Sequence, residues 1–199
     1  MATTAEKVRE LRDKTGAGVM DCKEALAASD EDLERAVDFL RKKGLAAASK
    51  RAHREARDGV VSSYIHAGAK LGVLIEVNCE TDFVARTEQF QDLVKGLAMQ
   101  VAAASPQWVS RDEVPAEVIE RERDIYRQQM ADQKKPPQVL DKVIEGKLAK
   151  FYEDSCLVDQ PYIRDASGKL RVGDLVAQLS AQTGEKIAVR RFVRFQVGE

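Results

Sequence analysis

Histidine, cysteine and aromatic residues are scarce in this chain, and each scarcity closes a route to function. The 199 residues include two histidines, His53 and His66, and three cysteines, Cys22, Cys79 and Cys156. The cysteines lie more than fifty positions apart with no CxxC pair. Neither a disulfide framework nor a zinc site is expected from that spacing. Charge of one sign is missing too, with 32 basic against 33 acidic residues. No global field therefore draws the chain to nucleic acid or acidic lipid, and neither a direct nucleic-acid partner nor a membrane is expected. Long apolar runs are absent: Leu71 to Ile75 stops at Glu76, far short of a bilayer span. The opening Met1 to Gly16 alternates charges where a secretory leader needs an apolar core. The expected compartment is the reducing cytoplasm. No GxSxG, HExxH or Walker sequence occurs. Gly16-Ala17-Gly18 follows a helix rather than a strand and lacks the third glycine of a dinucleotide loop. No catalytic residue, metal site or cofactor is expected, so the chain reads as a binding protein and not an enzyme.

Apolar residues make up 44% of the chain and charged residues 33%. Its length suffices for one good core plus a small module. The predicted fold class is α+β, divided into a three-helix module (1–44), a helical basic linker (45–57) and a core (58–199). In the module, Val8 and Leu11 share a face of a first helix, which the Thr15 to Gly18 corner ends. A second helix is predicted from Val19 to Ala28, and a third capped by Ser29 or Asp30. Leu33, Ala36, Val37 and Leu40 form its buried stripe, and Gly44 is expected to stop it. Arg41 to Arg57 carries seven Lys or Arg against the single acid Glu55. It reads either as a solvated helical linker or as a partner contact.

Val60 to His66 and Leu71 to Val77 are β-branched runs around a short Ala67-Gly68-Ala69-Lys70 connection, which is a hairpin signal. Amphipathic helices are expected around Phe90 to Val101 and Leu140 to Phe151, with Pro136-Pro137 breaking the chain between. Ser110 to Glu113 looks like a capping box. Val172 to Leu179 reads as a short helix. In the closing strand, Ile187, Val189, Val193, Phe195 and Val197 share one parity, and Arg191 breaks that face as a bulge or an inward charge. The expected sheet is small and antiparallel, about three strands, with helices packed on it.

The unusual segment is Glu76 to Arg86. A strand ends, a polar turn follows, and Phe83-Val84 stand in the connection to the next helix. Either Phe83 staples that helix into the core, with Thr81 or Asp82 as its cap, or the ring protrudes beside a carboxylate as an interface anchor. His66, at the end of a strand, reads as structural or surface. The cysteines read as packed thiols.

Two stretches carry a resemblance. Leu11-Arg12-Asp13-Lys14-Thr15-Gly16-Ala17-Gly18-Val19-Met20-Asp21-Cys22-Lys23-Glu24-Ala25-Leu26 resembles the N-terminal signature of the elongation factor Ts family. Glu76 to Arg86, with Thr81-Asp82-Phe83-Val84, resembles its second signature. Weaker similarity extends over nearly the whole chain, including Gln160-Pro161-Tyr162. The resemblance implies a nucleotide-exchange factor for the GTPase elongation factor Tu, with an N-terminal module like a ubiquitin-associated domain. It implies that Asp82 and Phe83, flanked by Thr81 and Val84, insert near the magnesium site of that GTPase. It places Arg12, Gly16, Gly18, Met20 and Lys23 toward the nucleotide-binding domain, and His66 at a further contact. Val19 stands where the family commonly has methionine. A single core copy, without the coiled-coil insertion of longer members, implies a homodimer. The residues alone leave a binding module for ubiquitin-like or ribosomal partners as the alternative.

Overall fold

Eight α-helices and one three-stranded antiparallel sheet, ordered β1-β2-β3, make up the residues that the computed structural model describes, 4–130 and 136–199. The α+β expectation holds. Met1 to Thr3 of the opening segment lie outside the described residues. The chain forms two compact units, one of Met1–Ser62, Ile75–Lys95 and Asp174–Arg190, the other of Ser63–Leu74, Gly96–Gly173 and Arg191–Glu199.

In the first unit, α1 (Thr4–Thr15) stops because Gly16 takes a left-handed conformation, φ 65°. Its amide then donates back to the Arg12 carbonyl at 2.7 Å, satisfying a terminal acceptor. Helix α2 spans Val19–Ala28 as predicted. The third helix starts later than expected. Ser29 closes α2, and Asp30 and Glu31 are both left-handed, with φ 52° and 60°. Lys7 holds this corner by donating to the Glu31 carbonyl at 3.2 Å and its carboxylate at 2.9 Å. The cap therefore falls to Asp32, which accepts from the Arg35 amide at 2.9 Å and opens α3 (Leu33–Arg51). Ala36 and Leu40 join Val8, Leu11, Cys22, Ala25 and Leu26 in a small core, with Leu33 and Val37 packed on it.

Gly44 does not end this helix. It is buried, and a Cβ there would meet Ala181 and Ala177 of α8 (Val172–Thr183) at ordinary contact distance. A helix-interior glycine costs about 1 kcal/mol, less than continued hydrogen bonding and burial return. The charges of the basic stretch are mostly exposed, and several of them are paired at the surface. Lys43 pairs with Asp21 at 2.8 Å and Glu24 at 2.6 Å, Arg54 with Glu80 at 3.2 Å, and Arg57 with Glu55 at 2.8 Å.

Strands β1 (Asp58–Ile65) and β2 (Leu71–Cys79) form the predicted hairpin. Val73, Ile75, Val77 and Cys79 alternate into the interior, and Leu71 is half-buried. Strand β3 (Ala188–Gln196) is the other neighbour of β2. Its expected single apolar face splits. Ile187 is buried, but Val193, Phe195 and Val197 are exposed while Phe192 and Arg194 turn inward. The alternation slips by one residue across Arg190-Arg191. Arg194 is the inward charge, donating to the Ala102 carbonyl at 3.4 Å and to Glu199 at 2.8 Å.

The second unit contains the carboxyl half of α5 (Glu88–Ala104), α6 (Ala116–Gln129) and α7 (Pro137–Ser155). Pro136 and Pro137 open α7, since a proline at the first turn forfeits no hydrogen bond. Ser110 caps nothing through its side chain. Arg111–Glu113 is a single 3-10 turn, and Glu113 reaches back to the Val109 amide at 3.0 Å. Met130, Ile144 and Leu148 form a core with Tyr126 against it. Gln100 is fully buried, donating to Gln160 Oε1 at 3.0 Å and accepting from the Ile163 amide at 2.9 Å. Gly96 lets the Tyr162 hydroxyl approach, because a Cβ there would overlap it.

Candidate functional site

Strand β2 ends at Cys79, and the chain reverses through Glu80 and Thr81 into the one-turn helix α4 (Asp82–Ala85). Thr81 is extended and its hydroxyl caps α4, accepting from the Val84 amide at 3.5 Å. That settles the cap on Thr81 rather than Asp82. The same hydroxyl donates to Glu185 Oε1 at 2.6 Å. Glu185 Oε2 accepts from the Glu80 amide at 3.0 Å and the Thr81 amide at 3.1 Å. Glu80 returns the arrangement, its carboxylate accepting from the Lys186 amide at 2.5 Å and from Arg54 at 3.2 Å. The Lys186 amide, followed by Arg54, holds the Glu80 carboxyl below its ordinary range. Beneath the turn, burial pushes the Cys79 thiol up to about 11. It stays protonated at neutral pH and donates to the Thr81 carbonyl at 3.1 Å. On the far side, Gln91 donates to the Ala85 carbonyl at 2.7 Å and Thr87 to the Val84 carbonyl at 2.8 Å.

On this frame Phe83 is 80% exposed, whereas Phe90, seven residues on, is 0% exposed. The core-staple reading of Phe83 fails, because Phe90 supplies the buried ring and Phe83 stands in solvent. Asp82 lies beside it, paired with Arg86 at 2.8 Å. Val84 is half-buried.

The N-terminal candidates cluster at the α1–α2 corner. Met20 is 74% exposed, Val19 is also exposed, and Arg12, Gly16, Gly18 and Lys23 are at the surface. Gly18 is extended at the start of α2. The corner is tied down where Gln182 donates to the Thr15 carbonyl at 2.8 Å. His66 belongs to the second unit, exposed at the hairpin end, its Nδ1 2.9 Å from the Tyr64 hydroxyl. Among the described residues no cluster of three His, Cys, Asp or Glu has a metal-holding geometry, and no helix is long and apolar enough to cross a membrane.

Sequence reading missed Glu185 and Lys186. Thr183-Gly184-Glu185-Lys186 looks like an ordinary helix-to-strand turn, and a carboxylate partner more than a hundred positions away leaves no local pattern. Only Gly184 marked the place.

Comparison with known proteins covers the whole chain. The family model described as Elongation factor TS matches residues 34–199. The elongation factor Ts of Anaeromyxobacter sp. (strain Fw109-5) is 57% identical over 98% of this chain and 88% of its own length. That of Thermodesulfovibrio yellowstonii is 55% identical over 100% of this chain and 98% of its own. That of Fervidobacterium nodosum is 53% identical over the full length of both.

Proposed function

Because the chain belongs to the elongation factor Ts family, we propose that it is a guanine-nucleotide exchange factor acting on elongation factor Tu by inserting the Asp82-Phe83 turn near the magnesium and phosphate site. The observation that carries this reading is the solitary 80% exposed ring of Phe83 on a turn fixed from both sides. Single exposed apolar side chains are common on protein surfaces; what distinguishes this ring is the braced turn beneath it, within the second signature stretch.

A factor of this kind makes and breaks no covalent bond. It binds the GTPase more tightly when the nucleotide site is empty, and linkage then requires it to weaken GDP by the same factor. Each 1.4 kcal/mol or so of coupling is tenfold in affinity. Magnesium and the phosphate contacts supply much of a GTPase's hold on its nucleotide. A ring that displaces magnesium-supporting groups loosens GDP without touching the base. Burying that ring contributes roughly 1.5–3 kcal/mol toward the deformation. Asp82 adds a carboxylate, already partnered by Arg86, that competes for the same electropositive surroundings. Arg12, Gly16, Gly18, Met20 and Lys23 form the second contact in this reading, the module folding in the ubiquitin-associated manner, and His66 a third. The work is cytoplasmic, in translation elongation.

The active form in this reading is a homodimer. Supporting it is a shallow groove lined by the exposed apolar side chains of Ile65, Leu74 and Phe195 on the sheet and of Val197 just after it. A second copy seated on this face would bury its apolar side chains, with Lys70 also lining the groove.

Stopped-flow release of a fluorescent GDP analogue from elongation factor Tu tests the central step. Phe83→Ala is expected to slow release by roughly five- to hundredfold while its thermal melt stays close to that of the parent. Unchanged release by a well-folded Phe83→Ala protein refutes the wedge.

A further inference from the structure

Residues Gln182 to Lys186 touch both segments that carry the first unit's candidate contacts. Gln182 donates to the Thr15 carbonyl at 2.8 Å, at the corner that displays Met20. Three residues on, the Glu185 carboxylate gathers the Glu80 amide, the Thr81 amide and the Thr81 hydroxyl. The segment is itself held. Ser180 donates to the Glu185 carbonyl at 2.6 Å, Arg54 to the Gly184 carbonyl at 3.3 Å, and the Lys186 ammonium to the carbonyls of Ala52 at 2.7 Å and Arg54 at 2.8 Å. We infer that Glu185 is the positioning residue of the exchange turn, presetting the direction in which Phe83 projects before the GTPase arrives. The inference rests on the reading of Phe83 as the partner-facing ring.

The physical reason lies in what Phe83 lacks. An exposed ring on a four-residue turn receives no packing to fix its direction, so the backbone beneath must do so. A carboxylate is the one common side chain that accepts three hydrogen bonds at once from adjacent donors on the same turn. Glu80 and Thr81 are only half-buried, so without Glu185 their amides bond water at little enthalpic loss. What disappears is the single orientation. Ordering is then deferred to the encounter and subtracts from binding.

The test uses the full-length protein with elongation factor Tu. Release of the fluorescent GDP analogue is followed across a range of factor concentrations for Glu185→Ala, Glu185→Gln, Thr81→Val, Phe83→Ala and the Phe83/Glu185 double alanine. Each is melted in parallel. Glu185→Ala is expected to raise the half-saturating concentration roughly tenfold, with Glu185→Gln intermediate because it retains one acceptor. Once Phe83 is alanine, removing Glu185 is expected to change release less than about twofold. A cost of Glu185→Ala that is equal with and without the ring, or a lowered melt with unchanged release, overturns the inference. A fluorinated phenylalanine at position 83 gives a readout that does not depend on exchange. Its fluorine resonance is expected to be single in the parent and shifted or broadened in Glu185→Ala, and an unchanged resonance also overturns the proposal. If Phe83→Ala itself leaves release unchanged, the wedge reading falls, and the fluorine signal still decides whether Glu185 holds the ring. Should Glu185→Ala fail to fold, Glu185→Gln and Thr81→Val carry the same comparison.

Discussion

The turn at 81–84 and the sheet groove around Phe195 both place apolar side chains in water, by opposite means. At the turn a single ring stands on a frame of hydrogen bonds to Glu185, Cys79 and Gln91. On the sheet, Ile65, Leu74 and Phe195 stand on strands whose direction the β-ladder already fixes, and Val197 directly follows the last of them. A broad face binds through area and tolerates small errors of placement. One ring binds through position, and its neighbours matter as much as its own surface. The difference predicts that the sheet face responds to charge and bulk, while the turn responds to loss of aim.

The largest effect is expected at the sheet. In the proposed dimer, Phe195→Asp puts a charge into each half of the twofold contact. Removing about 1.5–3 kcal/mol per ring, twice over, weakens the dimer by roughly a hundred- to ten-thousandfold. Light scattering at tens of micromolar is expected to show a monomer near 22 kDa for the variant and twice that for the parent. A parent that is already monomeric removes the dimer. Reducing agent is expected to leave the parent mass unchanged, since Cys22, Cys79 and Cys156 are buried free thiols.

Phe90 sharpens the comparison from the other side. Phe90→Ala empties a fully buried site and is expected to destabilise the fold by about 3–5 kcal/mol, visible in a denaturant melt. Phe83→Ala is expected to leave that melt nearly untouched. Similar melts for the two variants would erase the distinction between displayed and buried ring. Met20→Ala, which trims one exposed side chain of the proposed second contact, is expected to weaken exchange about three- to tenfold with no change in melting. Full activity in that variant takes Met20 out of the contact.

The smallest effect concerns a second carboxylate that organises a turn. The Leu170 amide, with the Ser167 hydroxyl and other amides, holds the Asp165 carboxyl down to about 2. A depressed acid contributes stability above its ordinary pKa and loses it as pH falls toward the folded value. The parent is therefore expected to lose slightly more melting temperature between pH 5 and 2.5 than Asp165→Asn does. Parallel pH profiles would show that this turn contributes nothing. Unlike Glu185, Asp165 binds donors within five residues of itself, which is why a local pattern suffices to build it.

Local chemistry made much of the molecule legible. The period of Leu33, Ala36, Val37 and Leu40 gave the packed stripe of α3, and alternation from Leu71 to Val77 gave β2. The Gly16 corner followed from the conformational freedom of glycine. Gly44 misled because a propensity of about 1 kcal/mol was read without its contact to Ala177 and Ala181. Parity in the last strand misled because the slip at Arg190-Arg191 changes which side faces inward. The two signature stretches were readable as sequence, and the role of Glu185 in holding one of them was not.

The sequence by itself determined the residue types at the turn, the helices and strands around it, and the family to which such a turn belongs, since these depend on spacings of a few positions. Tertiary structure decided that Phe83 faces water while Phe90 fills the core, and that Glu185 holds the turn across more than a hundred positions of chain. Burial and hydrogen bonding are properties of what surrounds a side chain in space, and two phenylalanines seven residues apart carry the same side chain into different surroundings.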